Sequence, residues 1–360
     1  MVSWQLYKIG VISLAGLRMA TIVLYLAAAG CLFLLLLNRV LIGMKDGPAK
    51  PVAIVFSFLA LTGTAVGLGA AAPSAWAIAP LIILAATGLG EARRAWIRWR
   101  CRGEPPAARA SAAISLRRPI TTTDLAVARY ELRLPHWRGP ALRIAHISDL
   151  HLNSRLPATY YRSVIAQVTQ AHPDLVFFTG DFVTRVEFAP GLTPLLAGVR
   201  SRWGAFAVLG NHDFWAGETA MAAAVQAAGV TLLRDRHQVV HAGDGAEVLL
   251  CGYEAPDGAD GWHRPEVRPG QLAIALTHTP DNIYRLSQLG FSAVFAGHYH
   301  AGQVRLPGLG ALVVPSAYGR RFDHGHFVVN GAHLFVTAGV GAAFPPFRLY
   351  CQPDLFIVDV

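Results

Sequence analysis

From Met19 to Leu37 the chain carries no charged side chain, and the run TIVLYLAAAGCLFLLLL within it is nearly pure hydrocarbon. A helix of about 20 such residues covers the hydrocarbon thickness of a bilayer, so this stretch is expected to be a membrane span. A second charge-free stretch, Pro51 to Gly90, is about twice as long and is interrupted at Pro73-Ser74. It reads as two more helices joined by a tight turn. The apolar residues Ile9 to Leu17 are too few to span alone and extend the first helix or lie at the interface. Lys8 and Arg18 precede the first span as they would in a signal peptide, but its apolar core is longer than a signal h-region and further spans follow, so it is expected to be retained.

Basic residues set an expected orientation. Arg39, Lys45 and Lys50 follow the first span, and Arg93, Arg94, Arg98, Arg100 and Arg102 follow the third, whereas the opposite side has only Lys8 and Arg18. By the positive-inside rule the N-terminus is expected outside and the C-terminal part in the cytoplasm, in a multi-pass protein of the plasma membrane. The inference needs an odd number of spans. The net charge of +9 is concentrated in these juxtamembrane arginines, which points to anionic headgroups rather than nucleic acid as the partner. The soluble part has no basic and aromatic stripe of the nucleic-acid-binding kind, and nothing implies an obligate protein partner. Cys31, Cys101, Cys251 and Cys351 are scattered with no CxxC pair, which excludes a disulfide framework or zinc knuckle.

Three regions are expected: a membrane region over 1–104, a basic linker rich in Pro, Ala, Ser and Arg over 105–120, and a catalytic domain over 121–360. In the last, LRIAHIS (142–148), DLVFFTG (174–180) and GAFAVLG (204–210) read as strands, with helical patterns at 160–171 and 192–199 between them. This β-α-β-α-β order argues for parallel pairing. EVLLCGY, QLAIALT, SAVFAG, ALVVP, HFVV and AHLFVTAG are strand-like and come with fewer helices. The fold class is therefore α/β, a sandwich of two sheets flanked by helices.

Five clusters of chemistry-bearing residues follow apolar runs: Ser148-Asp149-Leu150-His151, Gly180-Asp181, Gly210-Asn211-His212-Asp213, Thr277-His278-Thr279 and Gly297-His298-Tyr299-His300. Ligands of such sheets gather beyond the carboxyl ends of strands, so all five can meet at one edge. Carboxylates, neutral imidazoles and an amide oxygen suit borderline divalent ions rather than soft ones. Two ions about 4 Å apart share a bridging carboxylate and act together on a phosphoryl group. In Asp149-x-His151 and His298-x-His300 the alternation puts both side chains on one side of an extended segment. A set of clustered buried charges without such compensation would be costly.

The series DLH, GD, GNHD, H and GHYH, in this order over residues 145–300, resembles the calcineurin-like metallophosphoesterases. The resemblance implies that family's four-layer α/β/β/α sandwich, here preceded by a transmembrane helical region. It implies two divalent ions, manganese first, with iron, zinc or magnesium as alternatives. Asp149, His151 and His300 would hold one ion, Asp181 would bridge, and Asn211, His278 and His298 would hold the other. His212 would stand over the scissile phosphate as general acid or charge stabiliser; with Asn211 and Asp181 it completes the implied catalytic group. Thr184 stands where some family members have a second Asp (GDxxD) that orients the histidine, so the partner of His212 is open.

The tail, GHYHAGQVRLPGLGALVVPSAYGRRFDHGHF followed by LFVTAGVG and FRLYCQPDL, resembles the membrane-associated bacterial branch, with Ala301 in place of the first glycine of GHxHGGQ. That branch includes phosphodiesterase-like proteins and UDP-2,3-diacylglucosamine hydrolases of lipid A synthesis. The expected activity is thus metal-dependent hydrolysis of a phosphodiester or pyrophosphate in a phosphorylated lipid or small molecule, with a UDP-diacylglucosamine-like lipid as the leading substrate. The alternatives are a phosphomonoesterase or protein phosphatase on soluble substrates, and an idle membrane scaffold. Tyr318, Arg320 and Arg321 are substrate-binding candidates, against ordinary surface arginines beside a turn. AAFPPF (342–347) either rests on the bilayer, covers an acyl chain or packs as core. Trp215 either shapes the pocket or packs. The histidines outside the motifs, among them His146, His263, His324, His326 and His333, are expected to be surface or core residues.

Overall fold

A computed structural model describes residues 14–44, 47–71, 78–254 and 264–360; Lys8, Lys45, the Pro73-Ser74 turn and His263 lie outside them. The chain divides into two compact units, Met1–Ile97 and Arg98–Val360.

In the first unit, helix α1 (Leu14–Leu36) continues through a π turn over Leu37–Leu41, and α2 (Ala49–Ala71) follows. Both are long and apolar enough to cross a membrane. They expose large apolar side chains, Val23, Phe56 and Leu59 among them, that a helix of a soluble core would turn inward. They meet where Gly69 lets the backbones approach, since a Cβ there would lie 2.7 Å from Ile22 Cα; small residues serve this purpose between membrane helices. Helix α3 (Ile78–Arg100) has the length expected of a third span, but Glu91, Arg93, Arg94, Arg98 and Arg100 occupy its second half. Among the described residues, two helices combine span length with apolarity rather than three. One of the arginines expected to meet headgroups is otherwise engaged: Arg98 pairs with Asp323.

The second unit contains two large sheets. The strands, in chain order, are β1 (Ala108–Ala110), β2 (Ala126–Glu131), β3 (Arg143–Ile147), β4 (Leu175–Thr179), β5 (Ala205–Val208), β6 (Thr231–Leu232), β7 (His237–His241), β8 (Glu247–Tyr253), β9 (Leu272–Thr277), β10 (Ala293–Ala296), β11 (Arg305–Leu306), β12 (Gly310–Ala311), β13 (Gly325–Val329), β14 (Ala332–Val336) and β15 (Asp354–Asp359). Helices α4 (Ala158–Gln170), α5 (Ala189–Leu196), α6 (Asn211–Ala227, kinked at Gly217) and α7 (Ile283–Gln288) complete the list. The seven-stranded sheet runs β1-β2-β15-β3-β4-β5-β6 and the six-stranded sheet β13-β14-β10-β9-β8-β7, with β11-β12 a separate hairpin.

Strands buried on both faces read as continuous apolar runs, and β3, β4, β5, β9 and β10 do so. Alternate residues then serve different cores. Val176 and Phe178 face α4, α5 and α6, in a cluster with Val164, Leu192 and Met221. Leu175 and Phe177 face the other sheet, in a cluster with Leu250, Ile274 and Phe295. On the far side of that sheet Ala275 and Val294 pack with Ile283 and Leu286 of α7. Two sheets thus share one core and helices cover both outer faces, the mixed α/β arrangement expected from the sequence.

The β3-α4-β4-α5-β5 succession is parallel, as its order predicts. Three expectations change. ALVVP is not a five-residue strand: β12 stops at Ala311, and Pro315, which has no N–H to donate, closes the segment. The stretch expected to be a linker supplies the edge strand β1, paired antiparallel with β2, and Gln352 Nε2 donates to Ala112 O at 2.8 Å. Finally β15, not anticipated, lies between β2 and β3, parallel to one and antiparallel to the other. Its Phe356 is fully buried in the inter-sheet core. Phe356→Ala is therefore expected to cost about 3–5 kcal/mol of stability, seen as a lowered unfolding midpoint of the purified chain; a midpoint within a degree or so of wild type would show that β15 is not integral.

Candidate metal centre

Strands β3, β4, β9 and β10 end at the same edge of the two sheets, and the loops that leave them are laced together. The N–H groups of Asp149, His151 and Leu152 donate to the carbonyls of Gly180, Asp181 and Phe182, each at 2.9 Å. Asp149 accepts from His298 N at 3.0 and 3.2 Å, and Asp181 Oδ1 accepts from His212 N at 2.8 Å. These crossings leave no room above the glycines that precede the motifs. A Cβ on Gly297 would overlap Ser148 Oγ and Asp149 Oδ2, and one on Gly210 would overlap Asp181 Oδ1.

Two groups of donor atoms result. Asp149, His151, Asp181 and His300 form one, and Asp181, His278 and His298 the other, the ligand atoms within each lying within 4.8 Å of one another. Asp181 belongs to both. Its Oδ2 is 3.5 Å from His151 Nε2 and 3.2 Å from His278 Nε2, and His300 Nε2 is 3.3 Å from Asp149 Oδ1. All these side chains are buried except His298, which is half-buried. Asp149, His151, Asp181, His298 and His300 have φ between 43° and 67°, a left-handed backbone that costs a non-glycine residue on the order of 1–3 kcal/mol. The crossing hydrogen bonds hold five residues there, turning each side chain toward the common centre.

The imidazoles test whether a cation fits. His278 Nδ1 donates to Thr179 O at 2.6 Å, and His298 is hydrogen-bonded to the backbone carbonyl of Pro315. Each ring spends one nitrogen on a carbonyl, which fixes the tautomer and leaves the other as a lone pair, as around bound metals. These remaining nitrogens, His278 Nε2 and His298 Nδ1, face each other at 3.1 Å. Two lone pairs so placed need a cation or a proton between them. His151 Nε2 and His300 Nε2 also lie 3.1 Å apart. The Asn211 Oδ1 atom is buried with no hydrogen-bond partner, an acceptor open to a positive ion. The donor set therefore fits divalent ions of the borderline kind, and thiolates take no part in it.

The protonation tendencies agree. Burial lowers His151 and His298 to about 3 and His300 well below its usual value, so these rings are neutral at ordinary pH. Burial raises Asp149 to about 6. Burial also works against the charge of Asp181, but His278 and His212 outweigh it and hold that carboxyl well below its usual range. Burial lowers His278 while Asp181 and Asp149 raise it, with a net result of about 9, so without an ion its Nε2 carries the proton that a bound ion would displace.

His212 lies against the first donor group and is 8% exposed, where Asp149 and His151 are 0%. Its ring packs edge-on against His151 and tilted against Trp215, with centroids 4.6 and 4.7 Å away. Trp215 thus helps hold the His212 ring. Thr184 donates to His151 O at 3.3 Å and so steadies the DLH loop. The substrate-binding candidates have local partners of their own. Arg320 donates to Leu309 O and Ala311 O, Arg321 donates to Tyr284 Oη at 2.7 Å and lies over the Tyr318 ring, and Tyr318 N is held by Ser316 Oγ.

Two contributors escaped the sequence reading. Asp213, the last residue of GNHD, accepts from Gly210 N at 2.9 Å and Phe182 N at 2.8 Å and so ties the GD loop to the start of α6. Burial and then the charge of Asp181 push its carboxyl up to about 7. Arg348 is fully buried. It donates to the carbonyls of Ala338, Gly339 and Gly341 and approaches His300 Nδ1 at 3.3 Å. The motif itself signals Asp213; nothing in the local sequence marks Arg348, an arginine without a carboxylate partner.

The sequence comparisons agree with this geometry. Residues 142–302 match the family model described as calcineurin-like phosphoesterase. The domain belongs to that family. The uncharacterized metallophosphoesterase YkuE of Bacillus subtilis is 26% identical over 60% of this chain and 77% of its own length. The phosphodiesterase YaeI of Escherichia coli is 25% identical over 61% and 82%. UDP-2,3-diacylglucosamine pyrophosphatase LpxG of Chlamydia muridarum is 41% identical over a shorter stretch, 25% of this chain and 29% of its own. The chain is thus a phosphoesterase, a metal-dependent hydrolase with an Asp/His site for the metal.

In the metal-free protein the raised His278 makes stability depend on pH. Its folded value of about 9 exceeds the ordinary 6.5, so its contribution is full below pH 6.5 and is lost as pH rises through about 9. Chelator-treated protein is expected to show a melting temperature that falls across this window, with a shallower fall in His278→Gln. A melting temperature rising over the same range would contradict the assigned charge pattern.

Proposed function

We propose that this phosphoesterase cleaves a phosphodiester or pyrophosphate bond in a lipid-linked substrate, and that its two donor groups hold a pair of divalent ions, manganese first, across Asp181. The observation that carries the reading is the single carboxylate common to both groups. Asp149, His151 and His300 would hold one ion; Asn211, His278 and His298 the other. Divalent ions there would supply Lewis acidity toward phosphoryl oxygens and make water more acidic.

The chain's own residues do the rest. The buried loops exclude bulk water from the inner wall, which strengthens every charge interaction at the centre. His212 donates a proton from its ring nitrogen to the departing oxygen as the ester bond breaks. Such a positioned acid contributes roughly 10²–10⁴-fold. Trp215 and His151 confine its ring in place of the carboxylate that Thr184 replaces. Asp213 accepts backbone N–H groups on both of its oxygens and so holds the start of α6 against the GD loop.

Two observations support the lipid class: the apolar helices α1 and α2 in the same chain, and the similarity to LpxG, whose name specifies UDP-2,3-diacylglucosamine. With manganese, the purified chain should hydrolyse a nitrophenyl phosphodiester faster than the monoester and should cleave detergent-dispersed UDP-2,3-diacylglucosamine. Asp181→Ala should abolish both, and His212→Ala should lower turnover roughly 10²–10⁴-fold with ion content unchanged. Full activity in Asp181→Ala would overturn the shared-carboxylate reading, and exclusive monoester turnover would overturn the substrate class.

We also read the domain as cytoplasmic, on the strength of the arginines from Arg93 to Arg102, a reading that requires α3 to cross the membrane in spite of its charged second half. A C-terminal alkaline phosphatase fusion is expected to be inactive and a green fluorescent protein fusion bright; the reverse pattern would place the domain on the other side and imply an even number of spans.

A further inference from the structure

Three segments of the phosphoesterase domain come together beside the metal centre: 114–120, the β11-β12 hairpin, and 342–350. The backbone laces them into one ribbon. Leu349 N donates to Gln303 O and Arg305 N to Leu349 O, both at 3.0 Å, while Tyr350 N donates to Pro119 O at 2.7 Å. The Gln303 side chain adds bonds to Ala343 and Pro345. The ribbon is joined to the ligand loops at both ends: Gln303 N donates to His300 O at 2.8 Å, and Gly341 N to Asp149 O at 2.7 Å.

This ribbon presents apolar side chains outward. Ile114 is 48% exposed, Leu116 75%, Ile120 54%, Leu306 40%, Leu309 57% and Phe347 39%. Scattered exposed leucines need no explanation, but contiguous ones mark an interaction surface. Its charge is one-sided. Residues 111–120, 303–311 and 342–350 contain no Asp or Glu, while Arg117 and Arg118 stand exposed between Leu116 and Ile120.

Apolar tips rimmed by arginine and free of carboxylate fit the boundary between acyl chains and anionic headgroups. The same chain contains α1 and α2, both apolar enough to lie in a bilayer. We propose that this ribbon is a membrane-docking surface: Leu116, Leu309 and Phe347 enter the headgroup region of an anionic bilayer and hold the mouth of the metal centre at the depth of a lipid's phosphate. The proposal rests on the lipid-linked reading above and deepens it, by naming the surface through which such a substrate is reached. It selects the bilayer among the outcomes open for 342–347 at the sequence level, since the buried Ala342 serves as an anchor and Phe347 points outward.

The test uses the full chain in nanodiscs of phosphatidylethanolamine and phosphatidylglycerol. Nitroxide labels are placed at Leu309→Cys or, as a control on an exposed site of the α4-β5 side, at Arg202→Cys, in a Cys31→Ala, Cys101→Ala background. The Leu309 label is expected to be open to oxygen and shielded from a water-soluble nickel chelate, and the Arg202 label the reverse. A Leu309 label as open to the chelate as the control overturns the proposal; if that label also becomes immobile as protein concentration rises, the face binds protein instead. In a second arm, Leu309→Ser with Phe347→Ser should raise KM for UDP-2,3-diacylglucosamine in lipid roughly tenfold or more, with soluble diester turnover unchanged. An unchanged KM counts against docking. The two readings fail separately: a shielded label without lipid turnover removes the substrate but keeps the docking surface, and lipid turnover with an open label does the opposite.

Discussion

The arrangement depends on one carboxylate serving two sets of neighbours. Asp181 is the member common to the two donor groups, and its backbone and side chain also hold the loops that supply the others: its carbonyl takes the N–H of His151 and its Oδ1 takes the N–H of His212. A charge so deeply buried is tolerated only when surrounded by positive or donating partners. The surrounding histidines and the helix start at Asn211 provide them. Gly180, Gly210 and Gly297 are consequences of the same crowding, because loops that cross this closely leave no volume for a side chain.

How far this was legible in the sequence varies by kind of information. The ligand clusters were legible because each follows an apolar strand and because residues of such chemistry rarely recur in that order without a common purpose. The parallel β3-β4-β5 succession was legible because its strands and helices alternate within short stretches. By contrast β15 forms only through pairing with strands at the other end of the domain, and β1 is a three-residue exposed edge, so neither shows a local period. Arg348 was invisible for a related reason: its partners are backbone carbonyls, which every residue has. Tyr318, Arg320 and Arg321 were singled out by residue type, and the two arginines also have local partners in neighbouring carbonyls, a hydroxyl and an aromatic ring.

The membrane part shows where composition alone stops short. Charge-free length predicted three spans, but the run that begins α3 ends in Glu91 and the arginines beyond it. Among described residues only α1 and α2 combine span length with apolarity. Orientation by basic residues depends on an odd count, so the fate of α3 decides on which side the phosphoesterase works. The physics of the metal centre is indifferent to that choice.

The position of β15 carries a consequence for biosynthesis. It lies between β2 and β3, yet about two hundred residues of chain separate it from β3. Until the ribosome has released that strand, β3 has a bare edge with unpaired amides, and the loop bearing Asp149 hangs from it. Unpaired edges of this kind recruit other chains. A nascent polypeptide of this design therefore stays open to mispairing from the synthesis of β3 until β15 has emerged.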